Sequence, residues 1–370
     1  LNSEGHPWGN YGIMDTQAAL RWVQRNIASF GGDPANVTLG GQSAGSINTS
    51  ANLLSPASAG LFHRAITQST PIASAYFTPA AAAVAVGDKF AAAAGCSTAA
   101  CLRELSTERI LQLQGTPAAN GPYVTGPVVD GTIIPIPADQ AWTTGAYNKM
   151  PIMGGSTQDE WTFVIGIQEY FSAVPLAGPY LELTPAQYNA TNAAFLGTYP
   201  LSNYGNNPSM AQNRISSDPF KCLGYRALSQ QAATNGYPVY GYEFTYQHPP
   251  FFFPQMPNSY DPTGHFQALA YHTGDIQFLF PKWHGGQLGV NLDQITGQPR
   301  ELQGDEIALS DQMVATWTKF AATGNPNGSG NAPWPRFTSG SPVLLKQDIP
   351  NGLMTGAEFR NAYKCDFWGL

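Results

Sequence analysis

The residues best placed by type and spacing to do chemistry form the pentapeptide Gly41-Gln42-Ser43-Ala44-Gly45. A serine hydroxyl is a weak nucleophile at neutral pH and needs a base to take its proton. The flanking glycines fit a strand-to-helix turn too tight for side chains, which pushes the hydroxyl outward and aims the N–H of Ala44 at the oxyanion of an attacked carbonyl. That chemistry is acyl transfer through a covalent serine intermediate. Histidine has the pKa suited to the base, and the chain offers His6, His63, His248, His265, His272 and His284. Serines on such turns are followed in the chain by a carboxylate and then by the histidine. This order removes His6, and His63 lies too near Ser43. Among the rest, His272 stands in Tyr271-His272-Thr273-Gly274-Asp275-Ile276-Gln277-Phe278, a polar loop turning into an apolar segment, whereas His248 lies in an aromatic, proline-rich stretch.

The elements that must hold these residues can be read from periodicity. Met14 to Phe30 places Ala18, Ala19, Trp22, Val23, Ile27 and Phe30 on one helical face, with Asp15 as cap and Gly31-Gly32 as stop. Val37-Thr38-Leu39 reads as a buried strand and Ala44 to Leu54 as a helix, so the serine lies between the two. Further strands are expected at Ala65 to Thr67, Pro151 to Met153 and Val239 to Tyr246, and helices at Pro79 to Ala94 and Leu309 to Ala322. Val128 to Ile134, centred on Asp130-Gly131, carries a hairpin signature. Strands interleaved with helices indicate an α/β fold with a largely parallel sheet. No repeat or low-complexity linker divides the chain, which reads as one domain over 1–370.

Only 11% of the 370 residues are charged and the formal net charge is −7. No basic patch emerges, which argues against nucleic acid as a partner. No apolar run approaches the roughly 20 residues that span a bilayer. The four cysteines, Cys96, Cys101, Cys222 and Cys365, lack C-x-x-C spacing. An even count in that pattern argues against zinc and for two disulfides in an oxidising compartment, hence a secreted, periplasmic or extracellular location. No metal or cofactor is expected.

Several blocks together resemble the type-B carboxylesterases, the carboxylesterase and cholinesterase family of α/β-hydrolases. They are Asn10-Tyr11-Gly12-Ile13-Met14-Asp15, Phe30-Gly31-Gly32-Asp33-Pro34, Phe62-His63-Arg64-Ala65-Ile66-Thr67-Gln68-Ser69 and Trp317-Thr318-Lys319-Phe320-Ala321. The resemblance implies a serine esterase with Ser43 as nucleophile, His272 as base and Glu160, of Gly155-Ser156-Thr157-Gln158-Asp159-Glu160, as the acid; Asp159 and Asp275 are the fallback acids. It also implies that Cys96 pairs with Cys101 and Cys222 with Cys365. The residue before the nucleophile, commonly glutamate in that family, is Gln42, which disfavours cationic choline esters. Gln42, Tyr271 and the run Phe251-Phe252-Phe253 are candidates for the substrate pocket.

The implied substrate is a small-molecule or lipid-like carboxylic ester. Alternatives are a lipase or sterol esterase, or a catalytically inactive binding module on the same fold. The family's HGG-type oxyanion loop is not among these residues, and the sequence opens at Leu1-Asn2-Ser3-Glu4. The reading is therefore of a processed or truncated product that lacks the N-terminal part of the sheet, which is either supplied by an N-terminal companion segment or simply left out of this sequence.

Overall fold

Ser43 follows one strand by a single residue, and Glu160 lies three residues beyond another. In a parallel sheet both positions fall at the carboxyl ends of strands, the edge where such folds assemble their sites. The computed structural model describes residues 9–69, 76–114, 116, 126–165, 184–251, 268–282, 290–328 and 332–370. Its strands are β1 (Thr38–Gln42), β2 (Arg64–Gln68), β3 (Thr78–Pro79), β4 (Val128–Val129), β5 (Ile152–Thr157), β6 (Val239–Phe244), β7 (Val343–Gln347) and β8 (Gly352–Thr355). The helices are α1 (Tyr11–Asn26), α2 (Ala44–Leu54), α3 (Ala80–Ala94), α4 (Ala99–Arg103), α5 (Thr107–Gln114), α6 (Ala138–Thr144), α7 (Pro185–Thr191), α8 (Pro208–Thr234), α9 (Ile276–Leu279), α10 (Asp305–Thr323) and α11 (Gly356–Ala362). Contacts divide the chain into two compact units, Leu1–Val37, Ile47–His63 and Ile72–Lys149 on one hand, Thr38–Ser46, Arg64–Pro71 and Met150–Leu370 on the other.

In the first unit α1 begins at Tyr11, before the expected cap Asp15, and it turns a different face inward. Ile13, Gln17 and Leu20 are buried, whereas Trp22 and Phe30 of the expected apolar face are 46% and 71% exposed. The reason is polar: Gln17 donates to Ser55 Oγ at 3.0 Å, and Gln24 donates to the carbonyls of Pro34 and Leu61 at 2.8 and 3.0 Å. The expected hairpin at Asp130-Gly131 is absent. β4 instead pairs in parallel with β3, and one Asp130 oxygen accepts from the N–H groups of Thr132, Ile133 and Ile134 at 2.8 to 3.0 Å, which holds the chain in a turn. Cys96 is bonded to Cys101.

The second unit holds the six-stranded sheet, in the order β1-β2-β5-β6-β7-β8, parallel except for β8. Alternation along β6 assigns its two faces. Tyr240 and Tyr242 meet Phe320 and Trp317 of α10, whereas Glu243 is ion-paired with Lys221 of α8. Helices therefore cover both faces, with the main core of Met153, Tyr242, Phe244, Phe278, Met313 and Trp334 on the α10 side. Toward α8, a Cβ added at Gly154 would come within 2.9 Å of Leu228, so glycine lets the helix approach the sheet.

Cys222 of α8 is bonded to Cys365, 143 residues further on. In the chain-entropy picture, closing a loop of that length stabilises the fold by about 5 kcal/mol. Replacing both cysteines with serine is expected to lower the denaturant-unfolding free energy by an amount approaching that. A loss under about 1 kcal/mol would show that the ring adds little to stability.

Candidate active site

Only Ser43 separates β1 from α2, so the chain must reverse within one residue. Ser43 takes φ +57°, a left-handed conformation that costs a non-glycine residue roughly 1 to 3 kcal/mol and persists only where the surroundings enforce it. Here they do. The Ser43 N–H donates to the Gln68 carbonyl at 2.9 Å and the Ser43 carbonyl accepts from the Ser46 N–H at 2.9 Å. A Cβ at Gly41 would collide with the backbone of Gly45, so glycine is required there. At Gly45, where the sequence reading also expected a steric need, an added Cβ meets nothing within 4 Å among the described residues. Ala44 opens α2, so its N–H belongs to the first turn, which has no intrahelical carbonyl to bond.

Glu160 sits in the loop after β5 and is buried. One carboxylate oxygen accepts the Thr157 N–H at 2.7 Å, and the other is hydrogen-bonded to Nδ1 of His272. The two loops are also joined through the backbone, because the Asp159 N–H donates to the Ala270 carbonyl at 2.9 Å. With the Nδ1 proton directed at Glu160, Nε2 carries the lone pair, and the Gln42 amide donates to it at 3.2 Å. The structure therefore brings Gln42, Glu160 and His272 together beside the strained serine. The fallback acids point elsewhere: Asp159 accepts from Asn213 and Gln247, and Asp275 from Gln68 at 3.0 Å and Tyr242 at 3.1 Å.

Tyr271 and Phe251 pack edge to face, 4.8 Å between centroids, in a small apolar cluster with Ile165 and Ala268, and the Tyr271 hydroxyl donates to the Pro250 carbonyl. Both are interior side chains. Phe252 and Phe253 lie outside the described residues. Phe163, which sequence reasoning missed, has its ring 6.1 Å from that of His272. Among the described residues no group of three His, Cys, Asp or Glu side chains is arranged to hold a metal.

The electrostatics of this cluster set a pH dependence. Burial is the largest influence on His272 and opposes its cation. The Glu160 charge and hydrogen bond, with the Asp275 charge, outweigh it and raise the pKa above its ordinary 6.5. Burial also pushes Asp275 up to about 6. A base must be neutral to accept a proton, so, in the role the sequence reading gives His272, kcat/KM for an uncharged ester is expected to fall as pH drops, with the midpoint above 6.5. Neutralising Asp275 removes part of the attraction that holds the imidazolium, so Asp275→Asn should move that limb to lower pH. A pH–rate profile in which the limb stays put in the variant would contradict this coupling.

The family model described as "Carboxylesterase family" matches residues 2–368. The chain is 31% identical over 371 residues to liver carboxylesterase 1 of Oryctolagus cuniculus, covering 90% of this chain and 60% of the relative. It is 30% identical over 388 residues to carboxylesterase 3 of Pongo abelii, covering 98% and 63%. It thus spans about 60% of the length of the curated relatives it matches. Among solved structures it is similar to the Geobacillus stearothermophilus carboxylesterase EST55, at 26% identity and a TM-score of 0.70 over 96% of this chain and 69% of that one. A thermophilic PNB esterase matches at 25% identity and a TM-score of 0.67, covering 96% and 68%. A parallel sheet covered by helices, a serine on a one-residue strand-to-helix turn, and a match along nearly the whole sequence lead to one assignment: the chain has the α/β-hydrolase fold and belongs to the carboxylesterase family.

Proposed function

We propose that this chain carries the acyl-transfer chemistry of a serine carboxylic ester hydrolase, with small-molecule or lipid-like esters as substrates. The observation that carries the proposal is the placement of the His272 imidazole, hydrogen-bonded to buried Glu160 through Nδ1 and to Gln42, the neighbour of Ser43, through Nε2. In this reading Ser43 attacks the ester carbonyl as His272 Nε2 takes its proton. Glu160 holds the proton on Nδ1 and favours the imidazolium as it forms. The Gln42 amide must swing aside for Nε2 to reach the hydroxyl. His272 then returns the proton to the leaving alcohol, and water cleaves the acyl-enzyme through the same groups.

Ala44 contributes one oxyanion donor, and the tetrahedral intermediate needs converging donors. β1, which leads into Ser43, is the edge of the described sheet. We propose that a companion N-terminal segment pairs with this edge and supplies the remaining donors. The two disulfides suit an oxidising compartment, and among the described residues no helix is long and apolar enough to cross a membrane; a secreted or extracellular setting fits both.

The test is labelling of the full chain with a fluorophosphonate, which reacts only with an activated serine, followed by peptide mapping. Modification confined to Ser43 and blocked by ester substrate is expected. Absence of labelling with the companion segment present, or modification of another serine, would refute the assignment.

A further inference from the structure

The loop from Thr157 to Trp161 is tied down residue by residue, and four of the ties come from one helix. Asn213, Ser217 and Lys221 of α8 are spaced four apart, so they form one stripe along a single face, and all three are buried. The Asn213 amide donates to the Asp159 carboxylate at 3.2 Å. Ser217 Oγ accepts the Trp161 N–H at 3.0 Å and donates to Asn213 Oδ1 at 2.8 Å. The Lys221 ammonium donates to the carbonyls of Thr157 and Gln158 at 3.0 and 3.3 Å, and its third bond goes to Glu243 of β6. Tyr363, two residues before Cys365, lays its ring 3.8 Å from the same ammonium.

A lysine is an expensive group to bury, and its partners must account for its presence. All three N–H bonds of Lys221 are used, two of them on the backbone of this loop. Thr157, which receives the first, is the residue whose N–H fixes Glu160 Oε1. The run of bonds is thus Glu243 to Lys221, Lys221 to Thr157, Thr157 to Glu160, and Glu160 to His272.

We propose that Lys221, with the Ser217 and Asn213 rungs beside it, is a positioning residue that aims the Glu160 carboxylate at His272. The inference rests on the reading of Glu160 as the orienting acid. It assigns to α8 a function in turnover beyond covering the sheet, exerted without touching substrate.

The test is Lys221→Met made together with Glu243→Gln, so that no unpaired charge is left inside, in the wild-type and the Glu160→Gln backgrounds. In the wild-type background kcat for a small activated ester is expected to fall about 10- to 100-fold with KM nearly unchanged. The low-field proton resonance of His272 Nδ1–H should move upfield or broaden as the bond to Glu160 loosens. In the Glu160→Gln background the same pair of changes should add less than about twofold, because residues acting through one group are not additive.

Three outcomes overturn the proposal. They are a folded double variant with wild-type kcat and an unshifted resonance, an equal loss in both backgrounds, or a loss expressed in KM alone. If Glu160→Gln alone keeps full activity, the identification of the acid falls first, and the positioning role falls with it; that result is separate from the other three. If the double variant does not fold, Ser217→Ala carries the same cycle, with an expected loss of about 3- to 10-fold and the same interpretation of each outcome.

Discussion

Ser43→Ala and His272→Ala are each expected to lower kcat by about 10⁴ to 10⁶, with the double variant no worse than either single one. The losses do not add because each residue is useless without the other. Ser43 without a base is an ordinary alcohol, and His272 without Ser43 has no hydroxyl to activate. The fold should be indifferent to both changes. Alanine keeps the Ser43 N–H that donates to Gln68, and His272 is only partly buried, so melting should stay cooperative and close to wild type. Steady-state turnover of a chromogenic ester, with the variant protein checked for wild-type carry-over by active-site titration, measures the effect. More than about a tenth of the wild-type rate remaining in Ser43→Ala would remove this serine from the mechanism.

Glu160→Gln is expected to cost about 10² to 10⁴ in kcat, the range that follows when a buried acid of such a triad is made an amide. The substitution is nearly isosteric, and its carbonyl oxygen can still accept one of the two hydrogen bonds. It cannot accept both, because the amide nitrogen is a donor. If the oxygen stays with the Thr157 N–H, the amide faces His272 Nδ1 and drives the proton to Nε2, the nitrogen that must be bare to take the Ser43 proton. Asp275→Asn separates this assignment from its rival. Its carboxylate accepts from Gln68 and Tyr242, so its loss should shift the pH limb and leave most of the maximal rate. Full activity in Glu160→Gln alongside collapse in Asp275→Asn would exchange the two roles.

The elbow was the most legible part of the sequence because its constraints are local. The glycine at 41 must avoid the backbone of Gly45, and the helix expected from Ala44 to Leu54 has those bounds in the structure. His272 was favoured by chain order and its polar loop, Glu160 was found through family resemblance, and the fold joins the two by a hydrogen bond. What escaped the sequence was burial achieved with polar groups. α8 buries Ser209, Asn213, Ser217, Asp218, Lys221 and Gln231 as well as Ala211, Ile215, Cys222 and Tyr225, and it carries Pro219 in its interior, so its apolar periodicity is drowned by polar positions. α1 misled for the same reason, its inward side being marked by Gln17 rather than by Trp22. At Asp130-Gly131 the side chain outcompeted a strand by collecting three amides. Hydrophobic periodicity registers apolar contact alone, and it is silent where hydrogen bonds compensate burial.

The bond between Cys222 and Cys365 closes a covalent ring that holds β6, His272 and α10, while Ser43 and Glu160 lie on the part of the chain outside it. A single cut of the backbone anywhere inside the ring leaves the two pieces joined through sulfur, with His272 still covalently tied to the piece that carries Ser43. The same cut in a reducing medium leaves only strand pairing and packing to hold the pieces together.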